Sequence, residues 1–232
     1  MINMGETREI TVRLTNDRSF LSIIVFCAGF GGPTHVAIGL DDSDGFYYSF
    51  NTRGFKKEYM VPRKKRRIRA TNYKLRVSDE SYRLLKDRIL KMYEDRSSYA
   101  YSGFGVALCL MRIPLRLRFK NKYFCSQFVA EFLTDSGCFN ITKKPEMCFP
   151  KRIEKEIKDS PLITDVYSYG DLIPIYKRVI DQSVTILKKA GKSAVFYRLM
   201  TMRYMKKITK LCIYIMYEQY REVFSRSNEN EK

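Results

Sequence analysis

The sequence predicts an α+β domain, with a small antiparallel sheet packed on helices, followed by a helical C-terminal extension. Three observations indicate this architecture. Strand patterns flank the turn signal DDSDG at 41–45. Two amphipathic helical patterns follow, at about 78–96 and 125–136. Beyond them the pattern becomes helical and basic, which divides the chain into a domain over 1–176 and an extension over 177–232.

Strand patterns dominate the first part of the chain. Residues 10–14 alternate polar and apolar side chains, which is typical of a half-buried strand. Residues 34–40 predict a buried strand, and 46–50 predict its return strand in a hairpin. The apolar run 21–26 fits either a buried strand or a short helix. Further strands are predicted at 55–60, 73–77, 162–166 and 172–176.

Helix signals follow the strands. Ser78 is a candidate N-cap, with Asp79 and Glu80 in the first turn behind it. The helix that begins at Cys125 is predicted to end near 136, with Gly137 at its C-terminus. Shorter helical segments are predicted at 103–110 and 145–159.

Cys125 is the first candidate for chemistry. It begins the buried helix, whose apolar face repeats Phe124, Phe128 and Phe132 at intervals of four. A thiol at a helix N-terminus faces unpaired N–H groups and the positive end of the helix dipole, and both favour the thiolate. The alternative is a small core residue, because free cysteines are among the most buried residue types.

His35 is the only histidine in the chain, and it opens the predicted strand 34–40. A cysteine nucleophile needs a base, and the base needs a group that orients it. Cys125 and His35 therefore form a nucleophile–base hypothesis. Ser49 lies on the return strand, where it could accept from the second imidazole nitrogen.

The start of the Cys125 helix also predicts a site for the oxyanion of a tetrahedral intermediate. The backbone N–H groups of Cys125 and Ser126 could hold that charge. Gln127 could assist, although a solvent-facing helix residue is the commoner alternative.

The charge of the chain is +18, with six basic residues among the seven of 63–69. Such an excess suggests an anionic membrane or a nucleic acid as partner, or simply solvated faces. The sequence argues against nucleic acid, because it carries no zinc spacing, RNP-like motif or convincing helix-turn-helix. The extension mixes basic and apolar residues, which favours either a membrane-surface helix or packing on this domain or a second copy. Its last residues, 225–232, are predicted to be disordered.

The six cysteines show no metal-type grouping, and with one histidine they argue against a zinc site. We expect no metal and no cofactor. Cysteines in apolar surroundings favour a reduced, intracellular protein. The N-terminus lacks the apolar core of a signal peptide, and no run reaches the ~20 apolar residues of a spanning helix. We therefore expect a cytoplasmic location, with the inner membrane face as a peripheral site.

Three motifs together suggest a family: THVAIGLDD, FYYSFNTRGF and NKYFCSQFVAEFL. They resemble the circularly permuted branch of the NlpC-type papain-like cysteine hydrolases, which includes the YiiX-like bacterial proteins and the lecithin–retinol acyltransferase-like enzymes. The resemblance covers roughly 8–176. It implies a papain-like fold in which the histidine precedes the cysteine, with His35 as the base and Cys125 as the nucleophile.

Ser49 falls where the resemblance places the third catalytic residue. The family more often has histidine, asparagine or an acid there, so this chain departs from its pattern. Asp41, Asp42 and Asn51 are the alternatives.

The expected function is that of a cysteine peptidase, amidase or acyltransferase acting on an amide or ester carbonyl. The substrate would be a peptide, a cell-wall-type peptide or a lipid acyl group. The alternative is a basic, non-catalytic protein that retains the fold and binds a membrane or a nucleic acid.

Overall fold

The computed structural model describes residues 6–16, 20–28, 31–41, 45–59, 69–111 and 120–170. Within them the chain is mixed α/β, with one six-stranded antiparallel sheet and several helices. The strands are β1 (Thr7–Thr15), β2 (His35–Leu40), β3 (Phe46–Asn51), β4 (Gly54–Tyr59), β5 (Ala70–Ser78), β6 (Ala100–Tyr101), β7 (Lys122–Tyr123) and β8 (Ile163–Tyr169). The α-helices are α1 (Phe20–Ala28), α2 (Asp79–Glu94), α3 (Gly103–Leu110), α4 (Cys125–Asp135) and α5 (Pro150–Ile157).

The large sheet has the strand order β4-β3-β2-β1-β5-β8, with antiparallel pairing throughout. The meander β1–β2–β3–β4 is interrupted only by α1, which is inserted between the first two strands. The remaining strands, β6 and β7, form a separate parallel pair of two residues each, with β6 before α3 and β7 before α4. This pair was not predicted from the sequence.

Most strand predictions are confirmed by the structure. The alternating segment becomes β1, the hairpin becomes β2 and β3, and the later predictions correspond to β4, β5 and β8. The glycine that ends the DDSDG turn, Gly45, has φ 77°, a conformation that L side chains rarely adopt. The run 21–26, left open between strand and helix, lies in α1. The predicted strand at 172–176 lies outside the described residues.

The helix predictions are also confirmed. Ser78 caps α2 by accepting a hydrogen bond from the backbone N–H of Ser81 at 3.2 Å. Helix α3 has the predicted bounds, and α5 with a preceding 3-10 turn occupies the segment 145–159. Gly137 follows α4 with φ +72°, as expected of a glycine at a helix C-terminus.

Two apolar clusters divide the interior. The larger joins α2, α4 and α5 to the sheet, with Phe128 and Leu133 of α4 fully buried in it. The smaller joins α1 to α3 through Val25, Val106 and the side chain of Phe124. Phe124 directly precedes Cys125, so the boundary between the two clusters lies at the start of α4.

Two predicted features lie outside the described residues: most of the basic segment 63–69 and the extension 177–232. Among the helices that the structure describes, none combines the length and apolar character that a membrane crossing requires.

Candidate active site

Cys125 is the first residue of α4. Its N-cap, Phe124, has an extended backbone, and the Phe124 side chain makes no capping hydrogen bond. The helix start is anchored instead by Ser126, whose hydroxyl donates to the carbonyl of Cys148 at 2.7 Å. The first backbone N–H groups of a helix lack intrahelical acceptors. Those at the start of α4 are therefore suitable donors to an anion beside the Cys125 sulfur.

His35 is the first residue of β2, where it pairs with Thr15 of β1. Its side chain is 17% exposed and lies beside the Cys125 thiol, with which it lines one cavity. The structure thus brings together the predicted nucleophile and the predicted base, which are distant in sequence. On the other side of the ring, Nε2 lies 3.4 Å from Oε2 of Glu58. Nδ1 is therefore the nitrogen left for the thiol.

Glu58 is the third member of this arrangement, and sequence reasoning missed it. It lies on β4, two strands away from His35, with its side chain 34% exposed. One carboxylate oxygen faces the imidazole at an ion-pair distance. The other, Oε1, accepts from the Ser49 hydroxyl at 2.7 Å and from the Asn51 side-chain amide at 3.5 Å.

The prediction that Ser49 contacts His35 directly is wrong. Ser49 is fully buried, and its hydroxyl donates to Glu58. The register explains this, because Ile38 pairs with Tyr48, and the same register continued sets His35 opposite Asn51 rather than Ser49. A serine side chain is too short to reach the ring from that position.

The structure also distinguishes the three alternative residues that were considered as partners of the His35 ring. Asp41 follows the opposite end of β2 from His35, and Asp42 lies outside the described residues. Asn51 lies near the ring end of β3 and bonds to Glu58. One signal for Glu58 was present in the sequence: it is the only acid between Gly45 and the basic run at 63–69.

The electrostatics couple His35 to Glu58. Burial alone would lower the pKa of His35, but the Glu58 carboxylate and the hydrogen bonds to Cys125 and Glu58 raise this pKa well above its ordinary value. Burial would likewise raise the pKa of Glu58, but His35, Ser49 and Asn51 lower it to about 2. Each partner therefore favours the charged form of the other, the imidazolium and the carboxylate. An imidazolium beside a cysteine stabilises the thiolate form.

Gln127 is buried and is not among the residues that line the cavity beside Cys125. The position of Gln127 therefore does not support its predicted role at the oxyanion. The alternative prediction, that Gln127 faces solvent, is wrong because the residue is buried. Tyr101 does line that cavity. Its pKa is raised well above its ordinary value by burial and by the proximity of Cys125, so it keeps its proton and can donate.

The pairing of β6 with β7 explains the position of Tyr101. Tyr101 lies directly beside Tyr123, and Tyr123 lies two residues before Cys125. The N–H of Ser102 also donates to the carbonyl of Tyr123 at 2.8 Å. This short parallel pair therefore fixes the phenol next to the start of α4.

The cavity beside Cys125 has a volume of about 90 Å³. Its walls come from α1, α3, the start of α4, the end of β3 and the segment after Cys148. Within the described ranges, no group of three or more histidine, cysteine, aspartate or glutamate residues could hold a metal ion.

Comparison of the chain with known protein families and with curated proteins finds no match in either case.

Proposed function

We propose that this chain is a thiol-dependent hydrolase or acyltransferase with a papain-like fold in permuted order, acting on an amide or ester carbonyl. One observation carries the proposal: the His35 imidazole lies between the Cys125 thiol and the Glu58 carboxylate. Nucleophile, base and orienting group are thus present in the order that thiol catalysis requires. The strand that begins with His35 comes before the helix that begins with Cys125 in the sequence, and this order supports the permuted arrangement.

The first half-reaction follows from these positions. The Cys125 thiolate attacks the carbonyl carbon, and the C=O electron pair moves onto oxygen. The N–H groups of Cys125 and Ser126 stabilise the resulting oxyanion, with the Tyr101 hydroxyl as a third donor. His35 then gives its proton to the leaving amine or alcohol as the carbon–heteroatom bond breaks, which leaves an acyl-enzyme and a neutral imidazole.

The second half-reaction returns the site to its starting state. Neutral His35 removes a proton from water, or from an acceptor alcohol or amine, as that oxygen or nitrogen attacks the acyl-enzyme. The carbon–sulfur bond breaks, the acyl product leaves, and Cys125 is again a thiolate beside an imidazolium. Glu58 stabilises the cationic ring in both resting states and fixes its orientation.

Two measurements test the proposal. Hydrolysis of p-nitrophenyl butyrate should show a burst of p-nitrophenol with one acyl group bound to Cys125, detected by peptide mass spectrometry. Cys125→Ala should abolish the burst, and His35→Ala should lower kcat/KM by about a thousandfold. Cys138→Ala is the matched control, since Cys138 is a buried cysteine outside the cavity lining and its loss should leave turnover unchanged. Turnover that persists in Cys125→Ala would refute the assignment.

A further inference from the structure

The cavity beside Cys125 has mostly apolar walls, and the described residues that line it include no lysine, arginine, aspartate or glutamate. His35 and Cys125 are the charged pair of the proposed mechanism. Its apolar walls are Leu21 and Val25 of α1, Val106 and Cys109 of α3, with Phe124 and Phe149. The polar side chains on the lining are hydroxyls and one amide, such as Ser22, Thr34 and Asn51.

The cavity has an exposed end and a buried end. Thr52, in the turn after β3, is exposed and marks the mouth. Val106 and Cys109 are buried and belong to the cluster between α1 and α3, so they form the inner wall. A group attached to the Cys125 sulfur that points inward would therefore contact aliphatic carbon. A charged group there would lose its hydration without gaining an opposite charge from these walls.

The volume limits the size of that group. An apolar cavity of about 150 Å³ accepts benzene with its six carbons. At about 90 Å³ this cavity has roughly three fifths of that space, which corresponds to about four aliphatic carbons.

We propose that the cavity binds a short, uncharged aliphatic group attached to the Cys125 sulfur, of about four carbons. Resting on the proposed function, this makes the substrate an ester, thioester or amide of a short aliphatic acid. Acyl groups that would carry an ionised carboxylate or ammonium to the inner wall are excluded, and so are long fatty acyl chains.

Alkyl methanethiosulfonates test the cavity without requiring turnover. The thiolate attacks the sulfenyl sulfur, an S–S bond forms, and methanesulfinate leaves with the bonding electron pair. The alkyl chain then occupies the position of an acyl chain. The rate at Cys125, followed by mass spectrometry and divided by the rate with glutathione, should be about tenfold higher for the butyl than for the octyl reagent. The propyl reagent should likewise exceed its 2-carboxyethyl and 2-trimethylammonioethyl analogues.

Variants test whether the cavity walls cause the preference for the butyl over the octyl reagent. Val106→Ala enlarges the inner wall and should raise the octyl-to-butyl rate ratio about fivefold. Val129→Ala is the matched control, because Val129 is a buried valine of α4 that does not line the cavity, and it should leave the ratio unchanged. If Val106→Ala does not fold, Val25→Ala opens the same cavity from α1.

The outcomes separate this proposal from the proposed function. A butyl-to-octyl ratio equal to that of glutathione, or equal ratios in the Val106→Ala and Val129→Ala variants, overturns the cavity proposal even if Cys125-dependent ester hydrolysis is observed. Rapid reaction of the 2-carboxyethyl reagent overturns the requirement for an uncharged group. Chain-length selectivity without any ester hydrolysis supports the cavity and refutes the hydrolase.

Discussion

Glu58→Gln is the change that most directly tests the orienting role of the carboxylate. Glutamine keeps the length of the side chain, and its amide oxygen can still accept from the Ser49 hydroxyl. Only the charge facing Nε2 of His35 is removed. The variant therefore separates the ion pair from the packing and the hydrogen bond behind it.

The magnitude follows from the pKa of Glu58, which falls from 4.5 to about 2 in the folded chain. Taken at face value, such a change would be about 3 kcal/mol of favourable interaction. The carboxylate is 34% exposed, so solvent screening reduces the useful part to about 1–2 kcal/mol. If the transition state depends on the oriented imidazolium to the same extent, kcat/KM falls by about tenfold.

The assay is the pH dependence of kcat/KM with p-nitrophenyl butyrate. Without Glu58 the charged imidazole loses its main stabilising partner, so the pKa of His35 falls and the basic limb of the profile moves to lower pH. Glu131→Gln is the matched control, since Glu131 is a buried glutamate that bonds to Tyr123 rather than to the ring. An unmoved basic limb, with a rate within about twofold of wild type, would refute the role of Glu58.

Three further predictions concern the same residues. Ser49→Ala should lower kcat/KM by only about threefold, less than Glu58→Gln, since it removes one hydrogen bond to the carboxylate and no charge; a larger loss would mean that Ser49 acts on His35 itself. Iodoacetamide at about pH 7 should label Cys125 before Cys109 and Cys148, because burial raises the pKa of both, to about 12 for Cys148; equal labelling in peptide mass spectrometry would contradict this. Because the pKa of Glu58 is lowered by folding, its contribution to the free energy of unfolding is present above about pH 4.5 and is lost as the pH falls towards 2. The difference in urea midpoint between wild type and Glu58→Gln should therefore shrink over that interval, and a constant difference would count against it.

The elements that carry Cys125 and His35 could be predicted because their signals are local. Cys125 directly follows Phe124 at the start of a helix with an apolar face, and His35 begins a buried strand before a strong turn signal. The helix itself is buried on most of its surface, and this is why Gln127 could not be placed from periodicity. Periodicity predicts which residues are exposed only when a helix has one buried side and one side facing solvent, and a helix packed on all sides lacks that contrast.

Glu58 and Tyr101 could not be predicted for a different reason. Glu58 reaches His35 only through the register of two successive hairpins, and a shift of one residue in either would turn the carboxylate to the opposite face. Tyr101 is placed by two strands of two residues each, which are too short to leave a pattern. Both positions depend on pairing between segments rather than on the composition of either segment.

The sheet explains how an acid two strands away can serve His35 while the nearer serine cannot. Neighbouring strands lie about 4.8 Å apart, so the backbones of β2 and β4 are separated by about 10 Å across β3. The side chains of His35 and Glu58 meet nevertheless, since Nε2 and Oε2 lie 3.4 Å apart. Ser49 on β3 is fully buried and donates to the carboxylate, as does Asn51 at the end of the same strand. A longer side chain at 49 would displace Glu58 from the imidazole, so Ser49→Gln should lower activity more than Ser49→Ala even though it restores a polar group.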